Sequence, residues 1–394
     1  MIMGRIMKRF DVVVAGAGPA GSLAAHVIAE NGFSVALLEK RQEVGSPVRC
    51  AEGVSEKWLL KHTGVEDAWV EAEVKGALLR APDGSKAVMN YSEKGYILDR
   101  ARFDRDLAWK AAESGAFLLT RAAVTKISPF DEFFIVRTDH PRYREFQSTL
   151  LILADGIESK LAPQLGVRTT LAPSDIEMCL QYTLEGAPHE DGFIEMVGGN
   201  EIAPGGYAWI FPKGGSRANV GLGLLGSRSR AGFNARFFLD RFVARRFPNA
   251  SIIRTVAGAV SASEPLEQVC GEGFLIVGDA ARLANPLTGA GIGNALESGA
   301  LAGKTAVEAL KAGKRSRESL EPYKQRLMRS IGNTSKKFYR IKEPFVRFAD
   351  EDIINMIRIV SQIDPKHVTV AGILEAAFKE NKAVLALIRK AFFT

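Results

Sequence analysis

The sequence predicts an α/β (mixed α+β) fold: a Rossmann-like nucleotide-binding domain, a second sheet interleaved with it along the chain, and helices at the C-terminal end. Three observations predict this. The apolar run Val12 to Ala15 leads directly into glycines 16, 18 and 21, the pattern of a buried parallel strand entering a phosphate-binding turn. A second strand-plus-glycine unit, "GFLIVGDAARLANPLTGAGIGNA", returns at 273–295. Between them, Thr149 to Leu153 form a third apolar run ending at Asp155-Gly156.

Composition bounds the rest. The chain has 394 residues, of which 46% are hydrophobic and 25% charged; that suits a globular protein of about two or three domains. Cys50, Cys179 and Cys270 are far apart, and the five histidines are scattered. The pattern argues against a disulfide framework and a zinc site, so no metal is expected and a reducing cytoplasm is. The net charge of +7 favours an anionic partner, but no nucleic-acid motif is present. The start "MIMGRIMKRFDVVVAGAGPAG" is rejected as a signal peptide, because Asp11 opens its apolar run and the glycines break it. No charge-free run reaches the roughly 18 residues of a membrane-spanning helix. The expectation is a cytoplasmic protein, free or peripherally bound to a membrane.

The first cradle has a reason for each part. Gly16 permits the tight turn, Gly18 lets the backbone approach a pyrophosphate, and Gly21 lets helix and strand pack closely. The predicted helix Ser22 to Glu30 then offers free N–H groups and a positive dipole end. A second strand, Val35 to Leu38, ends at Glu39, placed to accept hydrogen bonds from a ribose 2′-hydroxyl and to disfavour a 2′-phosphate. The adenosine therefore belongs to FAD or NAD.

The later motifs choose FAD. Strand Phe274 to Val277 ends at Asp279, whose carboxylate suits a ribityl hydroxyl. The second helix start, Gly291 to Asn294, can aim its dipole at the pyrimidine edge of a flavin and stabilise the reduced ring's negative charge. "LDRARFDRDLAWKAAESGA" adds Arg100, Phe103 and Leu107 on a helix start; in the flavoprotein hydroxylases that this pattern resembles, the arginine lies near the cofactor phosphates, and the alternative is a surface arginine on an amphipathic helix.

Together these motifs resemble the FAD-binding fold of para-hydroxybenzoate hydroxylase type. That resemblance implies a discontinuous FAD domain at 8–72, 96–165 and 258–312, a substrate-binding sheet at 73–95 and 166–257, and a helical region at 313–394. "PVRCAEG" and "GGYAWIFPKG" narrow the resemblance to the geranylgeranyl reductase family, in particular its archaeal branch acting on digeranylgeranylglycerophospholipids. What this implies is FAD-dependent saturation of isoprenoid C=C bonds during membrane ether-lipid biosynthesis. The implied FAD contacts are Gly16, Gly18, Ala20, Gly21, Glu39, Arg49, Cys50, Ala51, Gly53, Arg100, Val124, Asp155, Asp279, Gly289, Gly291 and Ile292. One departure concerns the electron donor. The hydroxylase motif continues from Asp155-Gly156 to a serine, present as Ser159, and then an arginine, which is Ala162 here. That arginine is associated with pyridine nucleotide use, so NADPH, a ferredoxin and a reduced deazaflavin all remain open.

On the substrate side, "YAWIFP" has strand period two, placing Tyr207, Trp209 and Phe211 on one face. Three aromatics in a row line a slot for an apolar chain or fill a core; the resemblance favours the slot. Lys314 to Lys342 carry ten Lys or Arg against two Glu. This suits an anionic membrane surface or lipid phosphate, or a solvated helix face. The tail "AVLALIRKAFF" is amphipathic and is expected to close over a hydrophobic cavity.

An isolated alkene accepts hydride poorly, so its reduction needs an acid and a dry pocket. Cys50, with Glu52 nearby, is a candidate to orient substrate or deliver the proton; packing against the ring is the alternative. Tyr207 is a second candidate acid. Rival functions on the same fold are an FAD-dependent monooxygenase and a non-catalytic isoprenoid-lipid carrier.

Overall fold

The computed structural model describes residues 7–362. The chain opens with β1 (Lys8–Ala15), α1 (Pro19–Glu30), β2 (Val35–Leu38), β3 (Gly53–Ser55), α2 (Glu56–His62), β4 (Val70–Arg80), β5 (Lys86–Leu98) and α3 (Arg100–Glu113). Strands β6 (Phe117–Leu119), β7 (Val124–Pro129), β8 (Phe134–Thr138) and β9 (Glu145–Leu153) return to the first sheet. Then come β10 (Ile176–Glu185), β11 (Phe193–Val197), β12 (Tyr207–Pro212), β13 (Ala218–Leu225), α4 (Ala235–Arg246) and β14 (Ser251–Ser261). The last part holds β15 (Cys270–Gly271), β16 (Phe274–Ile276), α5 (Ile292–Lys311), α6 (Arg317–Leu327), α7 (Asn333–Phe345) and α8 (Asp350–Ser361).

Two sheets organise these elements. The first runs β15-β16-β9-β1-β2-β6, parallel from β16 to β6, with β8 pairing antiparallel to the start of β9. Its strands read as unbroken apolar runs because both faces are covered, and Val12, Val14, Leu37 and Ile152 are fully buried. The second sheet runs β14-β10-β13-β12-β11-β4-β5-β3 and is antiparallel apart from β11 with β4. Helix α4 covers one of its faces through Phe238, Leu239 and Val243, which share a core with Tyr182, Val220 and Leu222.

The predicted elements hold with shifted ends. β2 spans the predicted residues. β1 begins at Lys8 because its polar start still pairs with Phe146 on β9, and β9 begins at Glu145 because β8 extends it. α1 starts at Pro19, not Ser22; proline suits the first turn, where its missing N–H has no intrahelical partner to lose. The seam between the sheets also moves. Gly53–Ser55, Tyr96–Leu98 and Gly258–Ser261 pair in the second sheet, although the motif spacing placed them with the nucleotide domain. The predicted C-terminal helices are α6 to α8, and the tail expected to close over the cavity lies outside the described residues.

One packing detail sets up the site. A Cβ at Gly299 would lie 2.2 Å from the Ala20 carbonyl oxygen, and one at Gly303 2.9 Å from Val27 Cβ. Only glycine lets α5 approach α1 this closely, and the approach brings both helix N-termini to one place.

Candidate active site

The first cradle is built from backbone. Gly16 has φ +111°, and a Cβ there would meet the Ala154 carbonyl oxygen at 2.2 Å. A Cβ at Gly21 would meet the Gly16 carbonyl oxygen at 1.9 Å, whereas one at Gly18 has no neighbour within 4 Å. Gly16 and Gly21 are thus required by packing, and Gly18 borders open space. Glu39 braces the turn: Ala17 N–H donates to its Oε2 at 3.0 Å and Arg41 N–H to its Oε1 at 2.9 Å. No side chain caps the N-terminus of α1.

The second helix end faces the same space. No side chain caps α5 at Gly291 either. Gly278 N–H donates to Ser298 Oγ at 3.0 Å, tying the end of β16 to α5. The Asp279 side chain, just beyond, lines the cavity and has no hydrogen-bond partner among the described residues. Surrounding protein raises its pKa, opposed by the Arg100 charge. Residues 285–290 form a tight loop in which Leu287 and Thr288 N–H groups donate to Asn285 Oδ1.

Against the two ends lies a predominantly apolar cavity of about 590 Å³, lined by Gly18, Ala20, Asp279, Gly291 and Ile292 and also by Tyr207, Trp209 and Phe211. The aromatic row therefore faces a slot. Trp209 Nε1 donates to Gln181 Oε1 at 2.9 Å, and Gln181 Nε2 donates to the Cys50 carbonyl at 3.1 Å. The Gln181 amide thus bridges the slot wall and the Cys50 loop.

Cys50 lines the cavity. Burial pushes its thiol pKa up, with Arg100 opposing, and its Sγ accepts the Glu52 N–H at 3.2 Å. Glu52 is held in the left-handed region, φ 77°. Its carboxylate accepts from Lys213 Nζ at 2.6 Å, from Asn219 Nδ2, and from the Arg100 N–H at 3.4 Å. Arg100 is not on the surface: it forms a bidentate pair with Asp104 at 2.8 Å and lines the cavity. The Tyr207 hydroxyl donates to the Thr288 carbonyl, and burial raises its pKa.

Arg49, Ala51, Gly53 and Gly289 also line the cavity. Gly16, Glu39, Val124 and Asp155 stand back from it. Glu39 reaches it through the turn that it braces. Asp155 Oδ2 accepts from Leu161 N–H at 3.0 Å, so its carboxylate is turned into its own loop. Val124 opens β7 next to Ala122, whose N–H donates to the Glu39 carbonyl. Ala162, where the hydroxylase motif has arginine, is fully buried in the first core. In the basic stretch, Lys342 is 2% exposed and bound to Asp175 and Glu343, and Arg326 pairs with Glu308; only part of that charge is free to face a partner.

Sequence inspection missed Glu177, Cys179 and Gln181, which line the cavity from β10. Their signal was present as polar residues at every second position of "EMCLQYTL", the period that puts them on one face of a strand.

Two uncapped helix N-termini lining one cavity, an open glycine between strand and helix, and an unpartnered acidic side chain among them fit a dinucleotide such as FAD. The fold and the site define an FAD-binding flavoprotein oxidoreductase. Comparison with known proteins agrees. Residues 11–110 match the family model "FAD binding domain" and residues 175–260 match "Geranylgeranyl reductase catalytic domain". The digeranylgeranylglycerophospholipid reductase of Methanosarcina acetivorans is 41% identical, covering 97% of this chain and 96% of its own. That of Methanothrix thermoacetophila is 42% identical, covering 97% and 99%. A geranylgeranyl bacteriochlorophyll reductase-like crystal structure from Thermoplasma acidophilum superposes with a TM-score of 0.93 at 30% identity, covering 98% of this chain and all of that one. A flavin-dependent brominase, 18% identical with a TM-score of 0.72, shares the fold. The chain belongs to the geranylgeranyl reductase family.

Proposed function

We propose that this protein saturates the C=C bonds of geranylgeranyl chains in digeranylgeranylglycerophospholipids. The observation that carries this reading is an apolar, aromatic-walled cavity continuous with the two helix ends suited to FAD. Reduced FAD, when bound, supplies the hydride. The chain's own residues do the rest. Gly18, Ala20 and Gly21 at the head of α1 would hold the pyrophosphate, with Glu39 and Val124 toward the adenosine. Asp279, Gly289, Gly291 and Ile292 would hold the flavin end, and Arg49, Ala51, Gly53 and Arg100 would border it.

Tyr207, Trp209 and Phe211 orient the isoprenoid chain and keep water from it; an aromatic face also steadies positive charge developing on a substituted carbon. Cys50 remains a thiol, lines the cavity and would shape the slot beside a bound flavin. Glu52, with its carboxylate committed to Lys213 and Asn219, positions the Cys50 loop and does not transfer protons. The lipid phosphate and an anionic membrane surface are met by Lys337, Arg340 and Arg347, exposed cations on or just beyond α7, whose last turn lines the cavity through Phe345 and Val346. Among the described residues, no helix is long and apolar enough to cross a membrane. The electron donor is NADPH, a ferredoxin or a reduced deazaflavin.

The test is anaerobic. The FAD-loaded protein, reduced with dithionite and mixed with digeranylgeranylglycerophospholipid, yields lipid heavier by two hydrogens per saturated bond in mass spectrometry. Reaction only in the presence of oxygen, with oxygen incorporated, would indicate a monooxygenase instead. A chain that takes up lipid but no flavin would indicate a carrier.

A further inference from the structure

The reductase reading leaves the source of the proton unassigned, and the groups nearest the expected flavin serve poorly. The Tyr207 proton is committed to the Thr288 carbonyl, and burial weakens both Tyr207 and Cys50 as acids. One carboxyl group lines the cavity from the strands of the second sheet, Glu177 on β10. We propose that Glu177 delivers the proton to the alkene as the isoprenoid chain is reduced. This rests on the reductase reading and adds the acid to it.

Geometry places the residue. Glu177 sits on the same face of β10 as Cys179 and Gln181. Its strand partners are Leu225 on β13 and Val260 on β14. Val260 Cγ1 comes within 3.9 Å of a Cβ placed on Gly289, in the loop ahead of α5. Glu177 is therefore one strand away from a side chain that abuts the loop expected to hold the flavin end. Glu177 Oε2 also lies 3.0 Å from a Cβ placed on Gly206, the residue before Tyr207, and 3.3 Å from one on Gly223. A larger residue at either position would crowd the carboxyl group. Glu177 Oε2 is buried and has no hydrogen-bond partner among the described residues, an arrangement that costs stability and is retained most readily where the group has work to do.

Its surroundings suit an acid. Burial raises the Glu177 carboxyl to about 8, opposed by Lys342 on α7, so it carries its proton at neutral pH. Lys342 is the charged group that bears on it, and it is itself held by Asp175 and Glu343. Cys179 and Tyr207 are the other ionisable groups whose charge interacts with it, and burial keeps both neutral. In the reaction the π bond opens, and one carbon takes the hydride that reduced flavin supplies. The other carbon forms a C–H bond to the Glu177 proton. The flavin is oxidised, the alkene is reduced, and Glu177 is left as a carboxylate facing the Lys342 charge until water reprotonates it.

The experiment compares wild type, Glu177→Gln and Glu177→Asp as FAD-loaded proteins, reduced anaerobically and mixed with digeranylgeranylglycerophospholipid. Flavin reoxidation and saturated lipid are followed against pH. Loss of a general acid is expected to cost Glu177→Gln about 10²–10⁴-fold in kcat, with KM and flavin affinity little changed. Glu177→Asp recovers part of that loss, and the wild-type rate falls as pH rises through the Glu177 titration. Infrared difference spectra of wild type against Glu177→Gln, without turnover, should show a protonated-carboxyl band at neutral pH that shifts when lipid binds. This readout needs only the isosteric Glu177→Gln to fold, so it holds even if Glu177→Asp folds poorly. A Glu177→Gln protein within about three-fold of the wild-type rate, far from the loss expected of an acid, overturns this role alone, as does a missing carboxyl band. A wild type that leaves the lipid unsaturated overturns the reductase reading, and this role with it.

Discussion

Lys213 donates to the Glu52 carboxylate at 2.6 Å, and the two side chains are only 12% and 5% exposed. This pair joins β12's outgoing turn to the Cys50 loop, so the second sheet positions a loop that lies against the nucleotide domain. Removing one partner of a buried pair strands the other charge, at about 3–5 kcal/mol. Lys213→Met is accordingly expected to lower unfolding free energy by that amount in urea melts and to weaken FAD binding. A loss below about 1 kcal/mol, the range of a surface ion pair, would mean that Glu52 is reached by water and does not hold the loop.

Gly18 and Gly21 separate cofactor binding from folding. Gly21→Ala drives a Cβ into the Gly16 carbonyl oxygen, and overpacking of this kind costs about 1–3 kcal/mol or more, so the flavin-free protein should melt earlier. Gly18→Ala meets no atom within 4 Å, so flavin-free stability should stay within about 0.5 kcal/mol of wild type. Its FAD affinity should nevertheless fall at least tenfold, about 1.4 kcal/mol, because the methyl group would occupy the space that we assign to phosphate. Differential scanning fluorimetry of the flavin-free proteins and flavin-fluorescence titrations test both halves; equal FAD affinity in Gly18→Ala and wild type would place the pyrophosphate elsewhere.

Glu177 makes stability depend on pH in a stated direction. Its folded pKa is about 8 against an ordinary 4.5, so between these values the native state holds a proton that the unfolded chain has released. The stabilisation is complete below 4.5 and is lost as pH rises to about 8. At about 1.4 kcal/mol per pKa unit, Glu177→Gln should be the more stable protein above this window, by on the order of 5 kcal/mol, and indistinguishable from wild type below it. Parallel melting curves across the window would expose a carboxyl that titrates normally.

Glu297 acts in the opposite sense. It lies on α5 and accepts from Lys61 at 2.6 Å, from His62 at 2.8 Å and from Ser330. Burial works to raise its pKa, yet these hydrogen bonds outweigh it and hold the carboxyl at about 2. Its contribution is present above 4.5 and lost as pH falls toward about 2. Glu297→Gln should cost about 2–4 kcal/mol near neutral pH, in line with a broken buried pair, and approach wild type in acid. A constant difference at every pH would point to packing in place of charge.

Local signals carried the nucleotide domain far. β1, α1 and β2 follow from an apolar run, three glycines and a second apolar run, because strand burial and a tight turn are dictated within about thirty residues. The aromatic face of β12 was equally legible, since alternation is a property of the strand alone. Whether that face met core or cavity was not, and neither were the partners of Glu52. Lys213 and Asn219 are 161 and 167 positions from it, and no local pattern links residues so far apart.

The sequence by itself determined the class of fold, FAD as the cofactor and the residue types at both helix ends, because each of these depends on short-range geometry. Only the tertiary structure decided that Asp155 turns into its own loop, that Arg100 is buried against Asp104, and that Glu177 faces the cavity without a partner. Those outcomes depend on which distant side chains arrive beside a group and how much water they remove. Burial and pairing are properties of the assembled surface around a residue, and a linear pattern does not contain them.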